Sequence, residues 1–135
     1  MELQVGVKVL LKNKEGKYLL VRRSSKKYPE VGATWDLVGG RIDAGTSLKE
    51  NLQREVREEI GLPLEKESRL IAAQDILKIP GRHVVRLTYL GEIEGEPTLN
   101  EENTEFRWFS AKELILQNNL DVFFKEVLEQ GRFDL

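Results

Sequence analysis

Apolar and polar positions alternate along the first 23 residues in the way that β-strands require. The apolar run from Val5 to Leu11 is interrupted at alternate positions by Gly6 and Lys8. Residues 13–16 have the composition of a turn, and residues 17–23, with an apolar centre, return as a second strand. This pattern predicts a β-hairpin at the start of the chain.

An amphipathic helix is predicted over residues 48–60. Leu48, Leu52, Val56 and Ile60 recur every four residues and predict the buried stripe of this helix. Ser47, followed by Glu50 three residues later, predicts a capping box at its start. Gly61, shortly before Pro63, predicts its end.

The remaining pattern predicts an α+β fold with the element order β-β-β-α-β-β-β-α. Neither repeats nor low-complexity tracts interrupt it. The other predicted elements are a polar loop over residues 24–33, a short strand over residues 35–38, longer strands over residues 70–79 and 84–93 joined by a turn at residues 80–82, a strand over residues 106–109, a short helix after Ser110, and a closing helix over residues 121–130.

Three carboxylates lie close together on the predicted helix. With about 100° per residue, Glu58 and Glu59 project about 60° and 40° to either side of Glu55. These acids border the apolar stripe, so we expect them at the rim of the core and partly desolvated. Because like charges repel, their grouping indicates a bound divalent cation rather than a need of folding. Oxygen-only ligands favour magnesium or manganese over zinc. The alternative is a solvated charged helix face.

The segment from Gly40 to Leu62 resembles the signature box of the Nudix hydrolases. Eight positions fit that pattern, namely Gly40, Arg54, Glu55, Val56, Glu58, Glu59, Gly61 and Leu62. The resemblance implies one Nudix domain over residues 1–135, an α/β/α sandwich in which helices flank a mixed β-sheet. It also implies a Mg²⁺-dependent enzyme, with Mn²⁺ as an alternative ion. The implied reaction cleaves the pyrophosphate bond of a nucleoside diphosphate linked to another moiety.

The same resemblance implies roles for particular residues. Glu58 and Glu59 are expected to bind the metal together with the main-chain carbonyl of Gly39, and Glu55 is expected to act as a further ligand or as the base. Arg54 is expected to orient Glu55 or to neutralise the acidic helix. As general base we expect Glu102 first and Glu105 second, the alternative being an exposed acidic loop. Arg22 and Arg23 are expected near the substrate phosphates, and only one of them can face the cleft.

Thr46 departs from the resembled pattern, because a Glu is usual at its position and pairs with the box arginine. Asp43, three residues earlier, is a partial substitute. We therefore expect activity with weakened metal affinity, which a magnesium titration of wild type and Thr46→Glu would measure. A non-catalytic nucleotide-binding or sensor module is the alternative function.

Composition limits the chemistry, the partners and the location that are expected for this protein. The 135 residues contain no cysteine, which excludes disulfides, a thiolate nucleophile and the cysteine that isopentenyl-diphosphate isomerase chemistry usually needs. A net charge of −2 makes long nucleic acid an unfavourable partner. The start of the chain lacks the pattern of a signal peptide, and no apolar run is long enough for a membrane span, so a cytoplasmic protein is expected. The sequence does not decide between a monomer and a homodimer.

Overall fold

The computed structural model describes residues 1–23 and 34–135. The predicted loop over residues 24–33 lies outside the described residues. The described part contains seven strands and three helices: β1 (Glu2–Lys12), β2 (Tyr18–Arg23), β3 (Trp35–Asp36), β4 (Val38–Arg41), α1 (Leu48–Ile60), β5 (Arg69–Ile76), β6 (Arg82–Glu92), β7 (Asn103–Phe109), α2 (Ala111–Leu116) and α3 (Val122–Gln130).

β1 is the centre of a mixed sheet with the strand order β3-β2-β1-β6-β5. It forms the predicted antiparallel hairpin with β2 and pairs in parallel with β6 along its whole length. β4 pairs with β1 in the antiparallel direction, with Val7 opposite Gly40 and Lys8 opposite Gly39. β5 and β6 form the second predicted hairpin. The glycine pair of β4 is therefore fixed beside the central strand.

The two faces of β1 belong to two separate apolar clusters. Val7 and Val9 pack with Val56 and Ile60 of α1. Leu10, which points the other way, packs with residues of α2 and α3, among them Leu114 and Phe124. Helices thus cover both faces of the sheet, which confirms the predicted α/β/α arrangement.

The boundaries of α1 follow the predicted signals. Ser47 Oγ accepts a hydrogen bond from the Glu50 amide, and Gly61 ends the helix in the left-handed conformation with φ 69°. The prediction for Leu48 was wrong, because this residue is 40% exposed. Leu48 is the first residue of the helix, and the contact with the core begins one turn later at Leu52.

Other differences are local. The predicted strand over residues 35–38 is divided into β3 and β4, because Trp35–Asp36 pairs with β2 whereas Val38–Arg41 pairs with β1. The strand predicted to reach residue 79 ends at Ile76. The chain ends in α2 and α3, which are the predicted short helix after Ser110 and the predicted closing helix, although the predicted element order counted only one of them.

Candidate active site

Two of the three helix carboxylates are buried. Glu55 is 9% exposed and Glu59 is 4% exposed. The side chain of Glu58 is 55% exposed. The expected position at the rim of the core therefore describes Glu55 and Glu59, whereas Glu58 faces outward. The reason is angular: Glu55 and Glu59 are four residues apart and share the inward edge, and Glu58 projects to the other side of Glu55.

The glycine pair of β4 lets the backbone come unusually close to these acids. A Cβ on Gly40 would lie 2.6 Å from Glu55 Oε2. The Gly39 amide donates to Glu59 Oε2 at 2.8 Å, and Gly39 has a φ of 148°. A Cβ on Gly39 would lie 2.0 Å from the Val7 carbonyl oxygen. Gly39 therefore requires glycine for its backbone conformation, whereas any side chain at Gly40 would displace the Glu55 carboxylate.

Glu59 joins three elements of the fold. Besides the amide of Gly39 in β4, the side-chain amide of Asn103 in β7 donates to Glu59 Oε1 at 3.1 Å. Burial raises the pKa of Glu59 to about 7, against the lowering effects of the Lys8 charge and of these two hydrogen bonds. A buried carboxylate whose charged form is this costly favours additional positive charge nearby. Asn103 carried no signal in the sequence that linked it to the helix acids.

Arg54 holds the outer edge of the acidic group. Its Nη1 donates to Glu55 Oε1 at 3.0 Å and to Glu58 Oε2 at 3.4 Å. The contact with Glu55 is the one expected from the sequence. The Nε of Arg54 lies 3.4 Å from Asp43 Oδ2, so Asp43 does pair with the box arginine in a chain that has Thr46 at the usual Glu position.

Glu102 and Glu105 are placed differently. Burial raises the pKa of Glu55, and the charges of Glu58 and Glu102 raise it further while Arg54 opposes them. Glu102 is thus near enough to act on Glu55. Glu105 instead accepts a hydrogen bond from Arg22 Nη1 at 3.0 Å across the paired strands β2 and β7. Glu102 therefore acts electrostatically on Glu55, whereas Glu105 is paired with Arg22.

Arg22 and Arg23 have different surroundings, and the pairing of β2 with β7 shifts its register between them. The guanidinium of Arg22 lies 5.0 Å from the ring centre of Trp35, in addition to its contact with Glu105. Arg23 lines a cleft on the α3 side of the sheet. Of the two arginines, Arg23 is the one at the cleft.

That cleft has a volume of about 380 Å³ and adjoins the glycine pair, because Gly40 and Arg41 form part of its wall. Its apolar wall consists of Ile76, Ile79, Val84 and Phe123. Its charged lining consists of Arg23, Arg41, Lys8, Asp36, Arg86 and Asp121. A mostly apolar pocket with a few fixed polar groups is typical of small-molecule sites.

Four of these charged residues form a buried network. Asp36 accepts from Lys8 Nζ at 3.3 Å and from Arg86 Nη2 at 3.2 Å, and Arg86 Nη1 lies 3.1 Å from Asp121 Oδ2. Burial alone would raise the pKa of Asp36, but the charges of Lys8 and Arg86 lower it to about 2. The pKa of Asp121 is raised by burial and by the charge of Asp36, against Arg86. No pattern in the sequence indicated this network.

The donors present fit a hard divalent cation. Among residues 1–23 and 34–135, no group of three or more His, Cys, Asp or Glu side chains converges as a formed metal site. The oxygen donors of Glu55, Glu58 and Glu59 nevertheless lie along one helix edge, and burial disfavours the charge of two of them. Oxygen ligands of this kind suit Mg²⁺ or Mn²⁺.

The chain also matches known proteins. The pattern of the NUDIX domain matches residues 2–130. The chain belongs to the Nudix family. Among solved structures, this Nudix protein is similar to a MutT protein from Methanosarcina mazei Go1, with 26% identity, 95% of this chain and 91% of that chain covered, and a TM-score of 0.82. It is also similar to a MutT NUDIX hydrolase from Burkholderia pseudomallei, with 28% identity, 96% and 98% covered, and a TM-score of 0.80.

A third structure, of a UDP-X diphosphatase, is 24% identical over 98% of this chain and 66% of that chain, with a TM-score of 0.73, and shows the shared fold alone. Curated protein sequences gave no match. The protein belongs to the family and retains the acidic helix, so it is a Nudix hydrolase. Nudix hydrolases act on small nucleotide-containing substrates and generally use divalent metal ions. Within the described residues, no helix is long and apolar enough to cross a membrane.

Proposed function

We propose that this Nudix hydrolase is a Mg²⁺-dependent pyrophosphohydrolase of a nucleoside diphosphate linked to another moiety, such as a nucleoside triphosphate or a nucleotide sugar. The observation that carries the proposal is the position of Gly40. Its backbone lies against the Glu55 carboxylate and also forms part of the wall of the 380 Å³ cleft. A nucleoside bound in the cleft would therefore place its attached phosphates near the helix acids.

Glu55, Glu58 and Glu59 are the proposed metal ligands, with the carbonyl of Gly39 beside them. When bound, Mg²⁺ would neutralise phosphate oxygens and lower the pKa of a bound water. Arg54 keeps Glu55 and Glu58 together through its Nη1. Glu59 is held by Gly39 and Asn103, so its carboxylate is oriented before any ligand arrives.

The proposed base is Glu102, with Glu105 as the second choice. Water attacks one phosphorus, the bridging P–O bond breaks, and the proton of the water passes to the carboxylate of the base. Arg23 at the cleft is the proposed phosphate contact. Arg22 has a weaker claim, because its guanidinium already pairs with Glu105 and stacks on Trp35.

The cleft is proposed to hold the nucleoside part of the substrate. Phe123 and Ile76 offer apolar surface for a planar base, and Arg86 with Asp121 offers fixed polar groups at its end. The hydrolysis screen described next identifies the base and the leaving group.

The test is a hydrolysis screen with Mg²⁺ against canonical and 8-oxo nucleoside triphosphates, ADP-ribose, dinucleoside polyphosphates and nucleotide sugars. Glu58→Gln is the informative variant, because this half-exposed side chain can change with little effect on stability. We expect it to lose at least about 100-fold in kcat, as typical of a lost charge-stabilising group. Glu50→Gln, an exposed change in the first turn of the same helix, is the matched control.

Phosphate release that is equal in wild type and Glu58→Gln would contradict the assignment of the acids. Saturable binding of nucleotides without any release of phosphate across the panel would instead favour the non-catalytic sensor. A magnesium-independent turnover would contradict the proposed cofactor.

A further inference from the structure

Asn51 is a fully buried polar residue in the second turn of α1. Its Nδ2 donates to the carbonyls of Thr46 at 2.9 Å and Ser47 at 2.8 Å. Its Oδ1 accepts from the Asp43 amide at 2.8 Å and from Arg54 Nη2 at 3.0 Å. A side-chain amide has two donors and two acceptor lone pairs, so the capacity of Asn51 is used completely.

These bonds place Asn51 between a loop and an arginine. Three of the four go to the backbone of residues 43–47, and the fourth goes to Arg54. The side chain of Asp43, carried by the same loop, lies beside Arg54 Nε at 3.4 Å. Arg41, just before the loop, accepts from Arg54 Nη2 through its carbonyl at 3.1 Å. Losing Asn51 would therefore separate the loop from the helix and leave Arg54 Nη2 with the Arg41 carbonyl but without its side-chain acceptor.

The guanidinium of Arg54 is planar, so holding Nη2 by hydrogen bonds, with the Asp43 charge beside Nε, also restrains Nη1. Nη1 is the nitrogen that donates to Glu55 and Glu58. Residue 46 supplies no charge to this arrangement, since Thr46 contributes its main-chain carbonyl to Asn51. The orientation of Nη1 thus depends on Asn51, on the loop that Asn51 holds, and on Asp43.

We propose that Asn51 is a positioning residue that, together with Asp43, takes the place of an acidic residue at position 46. Asn51 keeps Arg54 in the orientation in which Nη1 holds Glu55 and Glu58. The proposal rests on the proposed function, because those two glutamates are the proposed metal ligands. The Thr46 carbonyl and Arg54 Nη2 both contact the side-chain amide of Asn51, so residue 46 lies near the guanidinium and a glutamate there is the replacement to test.

The first test observes Arg54 in the whole chain without metal or substrate. The Nε–H signal of Arg54 is followed by ¹H–¹⁵N NMR and assigned by its disappearance in Arg54→Lys. We expect slow exchange with water in wild type and at least about tenfold faster exchange in Asn51→Ala. The double variant Asn51→Ala/Thr46→Glu should return the slow exchange. Gln53→Ala, which removes one side-chain bond to the Leu64 carbonyl from the same helix, should leave the signal unchanged.

The second test measures turnover of whichever substrate the screen identifies. A misplacement of about 1 Å at a reacting centre costs on the order of 100-fold in rate. We expect Asn51→Ala to lower kcat by about 10-fold to 100-fold with little change in KM, and Thr46→Glu to restore most of it in the double variant. A role limited to stability would lower the melting temperature without this kcat effect and without rescue by a glutamate.

An unaltered Arg54 signal in Asn51→Ala, or a double variant that leaves the exchange fast, would overturn the proposal. Should Asn51→Ala fail to fold, Asp43→Asn replaces it, because the Asp43 side chain is 69% exposed and its loss leaves the core intact. Faster exchange of Arg54 Nε–H is then the expected result, and unchanged exchange overturns the proposal. An inactive wild type would refute the proposed function, whereas the metal-free NMR signal would still decide the role of Asn51.

Discussion

Gly40→Ala isolates the contact between the glycine pair and the acidic helix. The added Cβ would lie 2.6 Å from Glu55 Oε2 and 2.8 Å from its Cδ, whereas ordinary contact begins at 3.4 Å. The carboxylate must therefore move by about 0.8 Å, the difference between these two distances. Because this group is the far end of a flexible side chain, the cost in folding free energy should be about 1 kcal/mol, at the low end for overpacking.

The effect on activity should be much larger than the effect on stability. A displacement close to 1 Å of a group at the reacting centre costs on the order of 100-fold in rate. We expect kcat/KM of Gly40→Ala to fall by about that factor, while the urea midpoint changes little. Steady-state hydrolysis and equilibrium urea unfolding on the same preparations measure the two effects.

A double-mutant cycle with Glu55→Gln tests whether the loss runs through Glu55. If it does, Gly40→Ala should cost much less in the Glu55→Gln background than in wild type. Independent, additive losses would refute the reasoning, as would a Gly40→Ala enzyme within threefold of wild-type kcat/KM.

The buried network of the cleft gives three further predictions. Lys8→Met should lower the free energy of unfolding by about 3 kcal/mol, because it leaves Asp36 buried with one cation fewer. Urea unfolding measures this change, and a loss below about 1 kcal/mol would contradict the prediction. The pKa of Asp36 is lowered from 3.8 to about 2 in the folded protein, so its ionised form stabilises the fold above pH 3.8, and this contribution is lost as the pH falls towards 2. Asp36→Asn should remove that part of the pH dependence of stability. Asp121, whose pKa is raised, should have the opposite effect, because its contribution to stability falls as the pH rises through its folded pKa. Asp121→Asn keeps a good N-cap for α3 but removes the charge beside Arg86. We therefore expect the KM for the nucleotide to rise about tenfold, with kcat and the melting temperature nearly unchanged. Steady-state kinetics and thermal unfolding measure these effects.

Signals that act over a few residues were readable from the sequence. The repeat of apolar residues every four positions, the cap at Ser47 and the stop at Gly61 defined α1, because helical periodicity and capping depend on neighbours within one or two turns. The same local geometry placed Glu55, Glu58 and Glu59 on one side of the helix.

Tertiary structure alone decided which acids are buried and what surrounds them. Asn103 reaches Glu59 across 44 positions of sequence, and Arg86 reaches Asp36 across 50. Such contacts arise from strand pairing, here β1 with β6 and β2 with β7, and period-2 alternation does not reveal which strands become neighbours. Within a single strand Lys8 is a polar interruption of an apolar run. The assembled sheet buries it beside the Asp36 carboxylate of β3, because the charges of distant segments must compensate each other once the sheet removes them from water.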